Sequence, residues 1–145
     1  RIVSATLLDA DGDERVQFAA GEPLAVRLVV EAERGLAAPR VSLELRGDDG
    51  VVLGGASQDT AELGWGEANG GARELRFDLD RLPLADGHFH LRFALVDADG
   101  EHLLHTLDDA ARFFVFAAGE ETGAVLLDGR WSMQEIAPRE PIPGA

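Results

Sequence analysis

The chain has 145 residues, a formal net charge of -14 and no cysteine, and 46% of its residues are hydrophobic. This length and apolar content are sufficient for one globular domain with a real core. The acidic charge excludes nucleic acid as a partner, because phosphate binding needs a basic surface. The lack of cysteine excludes disulfides and thiolate metal sites.

Short apolar runs alternate with turn signals along the chain, at the spacing of an antiparallel sandwich. A helical turn is one reading of Leu103–Arg112, but no long helical pattern occurs. The sequence therefore predicts an all-β fold, an antiparallel β-sandwich of immunoglobulin-like or jelly-roll-like type with about nine short strands. The predicted strand segments are Ile2–Leu8, Val16–Phe18, Leu24–Glu31, Arg40–Arg46, Val51–Leu53, Glu74–Leu79, His88–Val96, His102–Leu107, Arg112–Phe116 and Ala124–Leu127.

Period-two alternation separates the two faces of the clearest strands. In Leu24–Glu31 the even-numbered residues are apolar, while Arg27 and Glu31 fall on the opposite face. In Arg40–Arg46 the residues Val41, Leu43 and Leu45 are predicted to face inward. The same rule predicts that Leu75, Phe77, Leu79 and the apolar residues of His88–Val96 also face inward.

The segment Gln58–Ala72 has no clear period and is predicted to be an irregular loop. It contains Trp65 between Gly64 and Gly66. Two interpretations of Trp65 stay open: the ring stacks on a sugar, or it covers the end of the sandwich. The predicted domain covers residues 1–133, and a flexible Pro-rich tail covers residues 134–145.

The tetrapeptide Asp-Ala-Asp-Gly occurs twice, at Asp9–Gly12 and at Asp97–Gly100. A calcium loop of the EF-hand type needs Gly at position six and Glu at position twelve. Here the glycine falls at position four in both cases, and position twelve is Ala20 or Asp108. Both stretches are therefore interpreted as turns in which Asp caps the backbone and Gly adopts positive φ.

No catalytic motif stands out, and the protein is predicted not to be an enzyme. None of the serines lies in Gly-x-Ser-x-Gly, and all thirteen basic residues are arginines, so a phosphate loop with lysine is excluded. His88 and His90 share one strand face, and surface imidazoles are favoured there over a metal site. No metal and no cofactor are predicted.

Several segments, taken in order, resemble the C-terminal polysaccharide-binding domain of Wzt-type proteins, the ATPase subunits of ABC transporters that export O-antigen and related bacterial glycans. The resemblance covers Arg1 to about Met133. Its most specific parts are "GEPL" at Gly21–Leu24, "LPLADGHFHLRFAL" at Leu82–Leu95, "DDA" at Asp108–Ala110 leading to Phe114, and Gly123–Trp131.

The resemblance implies a β-sandwich that binds the exported bacterial surface polysaccharide in the cytoplasm, at the inner face of the cell membrane. It implies an ATPase domain upstream, a membrane permease subunit as partner, and a homodimer formed by exchange of terminal strands. The dimer-interface candidates are Ala124, Val125, Leu126, Leu127 and Trp131. The family pattern has Tyr near His88 and Phe89 and Asn-Thr near Gly55–Ser57, so polar contacts to sugar are expected to differ here.

Alternation and resemblance together place the sugar site on the outward face of one sheet. The carbohydrate-binding candidates are Ser42, Glu44, His90, Arg92 and Arg27 as hydrogen-bonding groups and Trp65 as a stacking platform. The alternative is a structural module that dimerises the transporter without binding glycan. A third reading, a small glycosidase, requires a close carboxylate pair in a cleft.

Overall fold

The structure is a computed structural model, and it describes residues 1–66 and 71–117. In chain order the strands are β1 (Ile2–Leu8), β2 (Gln17–Ala19), β3 (Leu24–Ala32), β4 (Arg40–Gly47), β5 (Val52–Asp59), β6 (Gly71–Leu79), β7 (Gly87–Val96) and β8 (Leu103–Phe116). A short 3-10 helix, Thr60–Leu63, follows β5. These strands form two sheets, one in the order β1-β3-β6 and the other in the order β2-β8-β7-β4-β5.

The core lies between the inward faces of the two sheets. Alternate residues of β3, from Leu24 to Val30, are 1–3% exposed, and alternate residues of β7, from Phe89 to Leu95, are 1–4% exposed. Because side chains alternate along a strand, burying one row places the next row outside. The predicted β-sandwich and the inward rows of β3 and β7 are confirmed.

The short strand β2 pairs with β8, and this pairing is parallel although an antiparallel sandwich was predicted. All other strand pairs of the described residues are antiparallel. Phe18 of β2 is fully buried, and its ring meets the Phe113 ring edge-on at 6.2 Å between centroids. An edge-to-face geometry suits the charge distribution of aromatic rings. The three-residue strand is thus anchored by one aromatic side chain.

Two predicted local structures differ from the observed ones. Leu103–Arg112 contains no helical turn, because the whole segment belongs to β8 and pairs with β7. The segment predicted as an irregular loop begins with the end of β5, continues into the 3-10 helix and ends in β6, while residues 67–70 lie outside the description. The predicted strand Ala124–Leu127 and the predicted tail, residues 134–145, also lie outside the described residues.

Strand β5 runs on through Gly54 and Gly55, which a propensity argument would place in a turn. A Cβ atom at Gly55 would lie 2.8 Å from the carbonyl oxygen of Leu43, on the paired strand β4. Only glycine fits such a close backbone approach without displacement. Gly55 therefore lets β5 stay paired with β4 as far as Asp59 and does not end the strand.

Among the described residues, the sandwich is open along one side, between β5 and β6, which are the outermost strands of their sheets. Phe77 of β6 was predicted to be buried, yet it is 38% exposed, and it lines the gap together with Leu43 and Ala56. Leu53 and Leu63 lie beside the gap and are 40% and 59% exposed. We call this apolar opening between β5 and β6 the edge cleft.

Candidate functional site

The outward face of the five-stranded sheet carries a continuous set of polar side chains, which we call the outer face. Strand register places Glu44 of β4 beside Arg92 of β7, and Arg46 beside His90. On the far side of β7, His90 is paired with Arg112 of β8. Because cross-strand partners share one side of a sheet, these side chains project from the same surface.

The charged groups of β4 and β7 form a chain of ion pairs. The Arg92 Nε donates to Asp108 Oδ1 at 2.7 Å, and an Arg92 terminal nitrogen lies 3.8 Å from Glu44 Oε1. Arg46 donates from two nitrogens to Glu44 Oε2, at 2.7 and 3.0 Å. The Arg92 and Glu44 side chains are 25% and 33% exposed, so both are partly fixed by their neighbours and still reachable from solvent.

A bulge in β8 brings two further carboxylates to this surface. Leu91 pairs with Ala111 and Phe93 pairs with Leu107, so Arg92 alone faces the three residues Asp108–Ala110. Asp109 has φ of 49°, and it is the one non-glycine residue with positive φ in the described ranges 1–66 and 71–117. Bulges of this kind redirect side chains and bend a strand. Here the bulge presents Asp108 and Asp109 beside Arg92 and His90.

Asp109 is held by its basic neighbours. Arg112 donates to Asp109 Oδ2 at 2.8 Å, and His90 Nε2 lies 3.6 Å from Asp109 Oδ1. The hydrogen bond from Arg112 is the main cause that lowers the pKa of Asp109, and the charges of Arg112, His90 and Arg46 lower it further. The carboxylate is therefore ionised at neutral pH, ready to accept hydrogen bonds.

An aromatic pair borders the charged groups. His88 of β7 and Phe114 of β8 are cross-strand partners, and their ring centroids are 4.8 Å apart with a 46° tilt. Phe113 and Val115 point into the core, so Phe114 between them points outward. This aromatic surface was not among the predicted site residues, although the alternation of "FFVF" contains the signal for it.

On the outer face, small residues lie beside the ion pair of Glu44 and Arg92, on the side away from His90. Ser42 of β4 is paired with Ala94 of β7, and Ala94 in turn with Thr106 of β8. Ala94 is only 6% exposed although it lies on the outward side of β7, between Arg92 and Val96 of the same strand. The outer face thus has a low centre of small side chains, bordered by the ion pairs of Arg92 and Glu44.

The structure brings together four of the six predicted carbohydrate-binding residues: Ser42, Glu44, His90 and Arg92. Trp65 is 8% exposed and belongs to the core, so it does not lie on this face. Arg27 lies on β3 in the other sheet, within 3.7 Å of Glu14 and 3.6 Å of Glu74. The dimer candidates Ala124, Val125, Leu126, Leu127 and Trp131 lie outside the described residues.

Comparison with known proteins identifies the family. The family model described as Wzt C-terminal domain matches residues 1–127. The chain belongs to the Wzt C-terminal domain family. Members of the family are non-catalytic domains of ABC transporters. No protein of curated function matches the sequence.

A solved structure shows the same fold for this Wzt C-terminal domain. This structure, described as the crystal structure of the C-terminal domain of wzt, has a TM-score of 0.80 and 17% sequence identity, covering 92% of this chain and 83% of that chain. A weaker match is the soluble domain of PmoD from Methylocystis sp. ATCC 49242 (Rockwell), with a TM-score of 0.45 and 11% identity, covering 77% of this chain and 88% of that chain. The described part of the Wzt C-terminal domain has no helix with the length and apolarity that a bilayer crossing needs.

The two Asp-Ala-Asp-Gly stretches of this Wzt C-terminal domain are turns. Asp9 Oδ1 accepts from the backbone N–H groups of Asp11 and Asp13, and Asp97 Oδ1 accepts from those of Glu101 and His102. Side chains do converge in both loops: ligand atoms lie within 4.8 Å in the groups Asp9, Asp11, Asp13 and Asp97, Asp99, His102. The first aspartate of each group nonetheless already serves the backbone of its own turn.

The ionised carboxylates of Asp9 and Asp97 should stabilise the fold in a way that is lost in acid. The backbone N–H of Asp13 is the main cause that lowers the pKa of Asp9, and Asp99 and then the backbone of His102 lower that of Asp97. A carboxyl whose pKa is lower in the folded state stabilises the fold above its unfolded pKa, and that contribution disappears as pH falls through the folded value. We expect Asp9→Asn with Asp97→Asn to lower the urea midpoint at pH 7.

The difference from wild type should begin to shrink as pH falls below about 4, where these carboxyl groups become protonated in the unfolded state. It should disappear once pH has also fallen through their lower folded-state pKa values. Urea titrations of both proteins at neutral and acidic pH measure this directly. A difference that stayed constant down to acidic pH would show that the charge of these aspartates does not act through the turns.

Proposed function

We propose that this domain is a non-catalytic glycan-recognition module of an ABC-transporter ATPase subunit, which binds an exported bacterial surface polysaccharide, at its non-reducing end, on the outer face. The observation that carries the proposal is the convergence of Ser42, Glu44, His90 and Arg92 on one side of the five-stranded sheet. The full-length protein then carries an ATPase domain and works with a membrane permease, at the cytoplasmic side of the cell membrane.

The chemistry of the outer face suits sugar binding. Sugar hydroxyls both donate and accept hydrogen bonds, and the face offers carboxylate acceptors on Glu44 and Asp108 and guanidinium donors on Arg92. The rings of His88 and Phe114 offer an apolar surface for the C–H face of a sugar. These groups sit on paired strands, so their positions are fixed before a ligand arrives.

The carboxyl groups argue for binding over hydrolysis. A glycosidase needs one carboxylic acid whose pKa is raised, so that it can protonate the leaving group. In the described ranges, the three carboxyl groups with a resolved shift all have a lowered pKa: Asp9, Asp97 and Asp109. Asp109, the one on the outer face, is stabilised as an anion by Arg112, which is the wrong direction for a general acid.

Arg92→Ala tests the location of the site. The variant removes the guanidinium between Asp108 and Glu44, so we expect binding of the organism's own surface polysaccharide to weaken at least about tenfold, as for the loss of one charged hydrogen bond. Isothermal titration calorimetry measures the affinity of both proteins for the polysaccharide. The control is Arg76→Ala, which breaks a similar exposed pair with Asp78 at 3.0 Å on the other sheet and should stay within about twofold.

If the wild-type chain binds the polysaccharide and Arg92→Ala binds it equally well, the outer face is not the site. If the wild-type chain binds none of the organism's surface glycan, capped or uncapped, glycan recognition itself is wrong.

A second candidate function is homodimerisation of the transporter subunits without glycan binding, and the edge cleft favours it. The cleft leaves Phe77, Leu53 and Leu63 more than a third exposed beside two sheet edges. Exposed apolar surface of this kind marks interaction sites. A second copy of the chain is the occupant that a symmetric transporter would supply.

Phe77→Arg tests the dimer. If a second copy covers the edge cleft, we expect the wild-type chain to be dimeric by light scattering and Phe77→Arg to be monomeric, because a charge cannot be buried there unpaired. The control Leu104→Arg changes an apolar residue that is 42% exposed and lies away from the cleft, on β8, and should stay dimeric. A wild-type chain that is monomeric at all concentrations would contradict this role.

A further inference from the structure

We propose that the outer face selects an uncharged sugar and discriminates against a terminal residue that carries phosphate or carboxylate. The inference rests on the proposed function, because it concerns the ligand of that site. It goes further in naming the charge class of the glycan and the residues that set it: Asp108, Glu44 and Asp109.

The charges on the outer face are balanced. Arg46, Arg92 and Arg112 each pair with a carboxylate of the same face, at 2.7 to 2.8 Å for the shortest contact of each. A fourth arginine of this face, Arg40, lies 3.9 Å from Asp59. An anionic ligand would therefore meet a carboxylate already bound at each of these guanidinium groups. That carboxylate would lie close to the incoming anion, and like charges at contact distance disfavour binding.

The carboxylates reach further toward solvent than the arginine between them. The Asp108 side chain is 75% exposed and that of Asp109 is 48% exposed, whereas Arg92 is 25% exposed. Arg112, which pairs with Asp109 at the rim of the bulge, is 67% exposed. A ligand that approaches Arg92 therefore meets the oxygens of Asp108 first. A sugar hydroxyl can donate to such an oxygen, but a phosphate or carboxylate group has no proton to donate at neutral pH.

The backbone of the bulge fixes this arrangement. In a regular strand the neighbours Asp108 and Asp109 would point to opposite faces of the sheet. Here three residues of β8 lie opposite Arg92 alone, and this bulge lets both carboxylates reach the outer face. Asp tolerates the left-handed conformation of residue 109 better than most residues do. The two acceptors are thus held in place by main-chain geometry as well as by their arginine partners.

The charge of the whole chain acts in the same direction. At -14 the protein repels polyanions at long range, which slows the approach of an acidic glycan at low salt. The low centre of the face, Ser42, Ala94 and Thr106, adds small neutral groups rather than further cations. Both features favour hydroxyl recognition, with His88 and Phe114 covering the apolar side of the ring.

Two forms of one ligand test the inference. The probe is a short oligosaccharide from the non-reducing end of the organism's surface polysaccharide, prepared with its terminal residue unsubstituted and with the same residue as a monophosphate ester. We expect calorimetry to show at least about tenfold weaker binding of the phosphate form. Affinity for the unsubstituted form should change less than about twofold between 50 and 500 mM salt, because no net ion pair forms with the ligand.

Asp108→Asn separates the charge effect from a structural one. The variant keeps the size of the side chain and an acceptor oxygen but leaves Arg92 with one fewer counter-charge, so the preference for the unsubstituted form should fall by about fivefold or more. The control Asp78→Asn makes the same change beside Arg76 on the other sheet, and should leave the preference unchanged.

Equal or tighter binding of the phosphate form by the wild-type chain would overturn the inference and leave the proposed function intact. An unchanged preference in Asp108→Asn would also overturn the role given to Asp108. If neither form binds to the wild-type chain, the proposed function fails and the inference fails with it.

Discussion

Trp65→Ala should destabilise the domain by about 3–5 kcal/mol, the usual cost of removing a large buried aromatic side chain. The indole is 8% exposed and packs in the core, and the Arg73 guanidinium lies 5.6 Å from its ring centroid. The Trp65 backbone N–H donates to the carbonyl of Thr60 at 3.1 Å, which ties it to the first residue of the 3-10 helix. Urea unfolding followed by circular dichroism measures the loss.

The same variant decides between the two interpretations of Trp65. If the ring only covers the sandwich, folded Trp65→Ala should bind glycan within about twofold of wild type, whereas a stacking platform contributes about tenfold or more to affinity. The control Phe116→Ala removes an aromatic side chain that is 40% exposed and should cost about 0.5 kcal/mol or less. A folded Trp65→Ala that loses binding would place the ring in the glycan contact.

Phe18→Ala should also cost about 3–5 kcal/mol, because it opens a cavity where a fully buried ring now lies. Against a typical total of about 5–15 kcal/mol for a domain, this is a large share. The ring packs edge-on against Phe113, and the Arg15 guanidinium lies 5.1 Å from its centroid. Since β2 has only three residues, we expect its parallel pairing with β8 to loosen as well.

Chemical denaturation measures the effect of Phe18→Ala, and hydrogen exchange at the amides of Phe114 and Ala20 reports on the β2–β8 contact, since both donate across it. Val16→Ala is the matched control: it lies in the same segment but is 64% exposed, and should stay within about 0.5 kcal/mol of wild type. A cost below about 1 kcal/mol for Phe18→Ala would mean that the β2 segment contributes little to the core.

The sequence alone predicted best the strands that have one deeply buried face. Alternation located β3 and β7 almost to the residue, because a one-residue shift would turn every apolar side chain of such a strand to solvent. Phe77 of β6 alternates equally well, but β6 is an edge strand beside the edge cleft, so the same pattern did not lead to full burial. An alternating pattern shows which side chains of a strand share a face. It does not show whether a second sheet covers that face.

The errors arose where tertiary pairing overrides local preference. Leu103–Arg112, for which a helical turn was one reading, departs from strict alternation at Asp108–Ala110. The structure shows instead that the irregularity is the bulge opposite Arg92, inside one long strand. The extension of β5 across Gly54 and Gly55 has the same origin, since hydrogen bonds to β4 outweigh the weak strand preference of glycine.

The candidate site was predictable in part. Ser42, Glu44, His90 and Arg92 lie together because β4 and β7 are neighbours and each strand alternates cleanly. Arg27 alternates in the same way on β3, and no local pattern indicates which of the two sheets a strand joins. Asp108 and Asp109 reach the outer face only through the bulge, so their placement depends on a backbone irregularity that no periodicity encodes.

The two strands that flank the edge cleft differ in how they resist self-association. Strand β6 alternates charges along its length, with Arg73, Glu74, Arg76 and Asp78, which discourages another strand from pairing with it. Strand β5 carries no charge from Val52 to Gln58, and Val51 and Val52 are each more than half exposed. In concentrated solution the folded protein should therefore associate through β5 and precipitate. Val52→Lys should delay this precipitation.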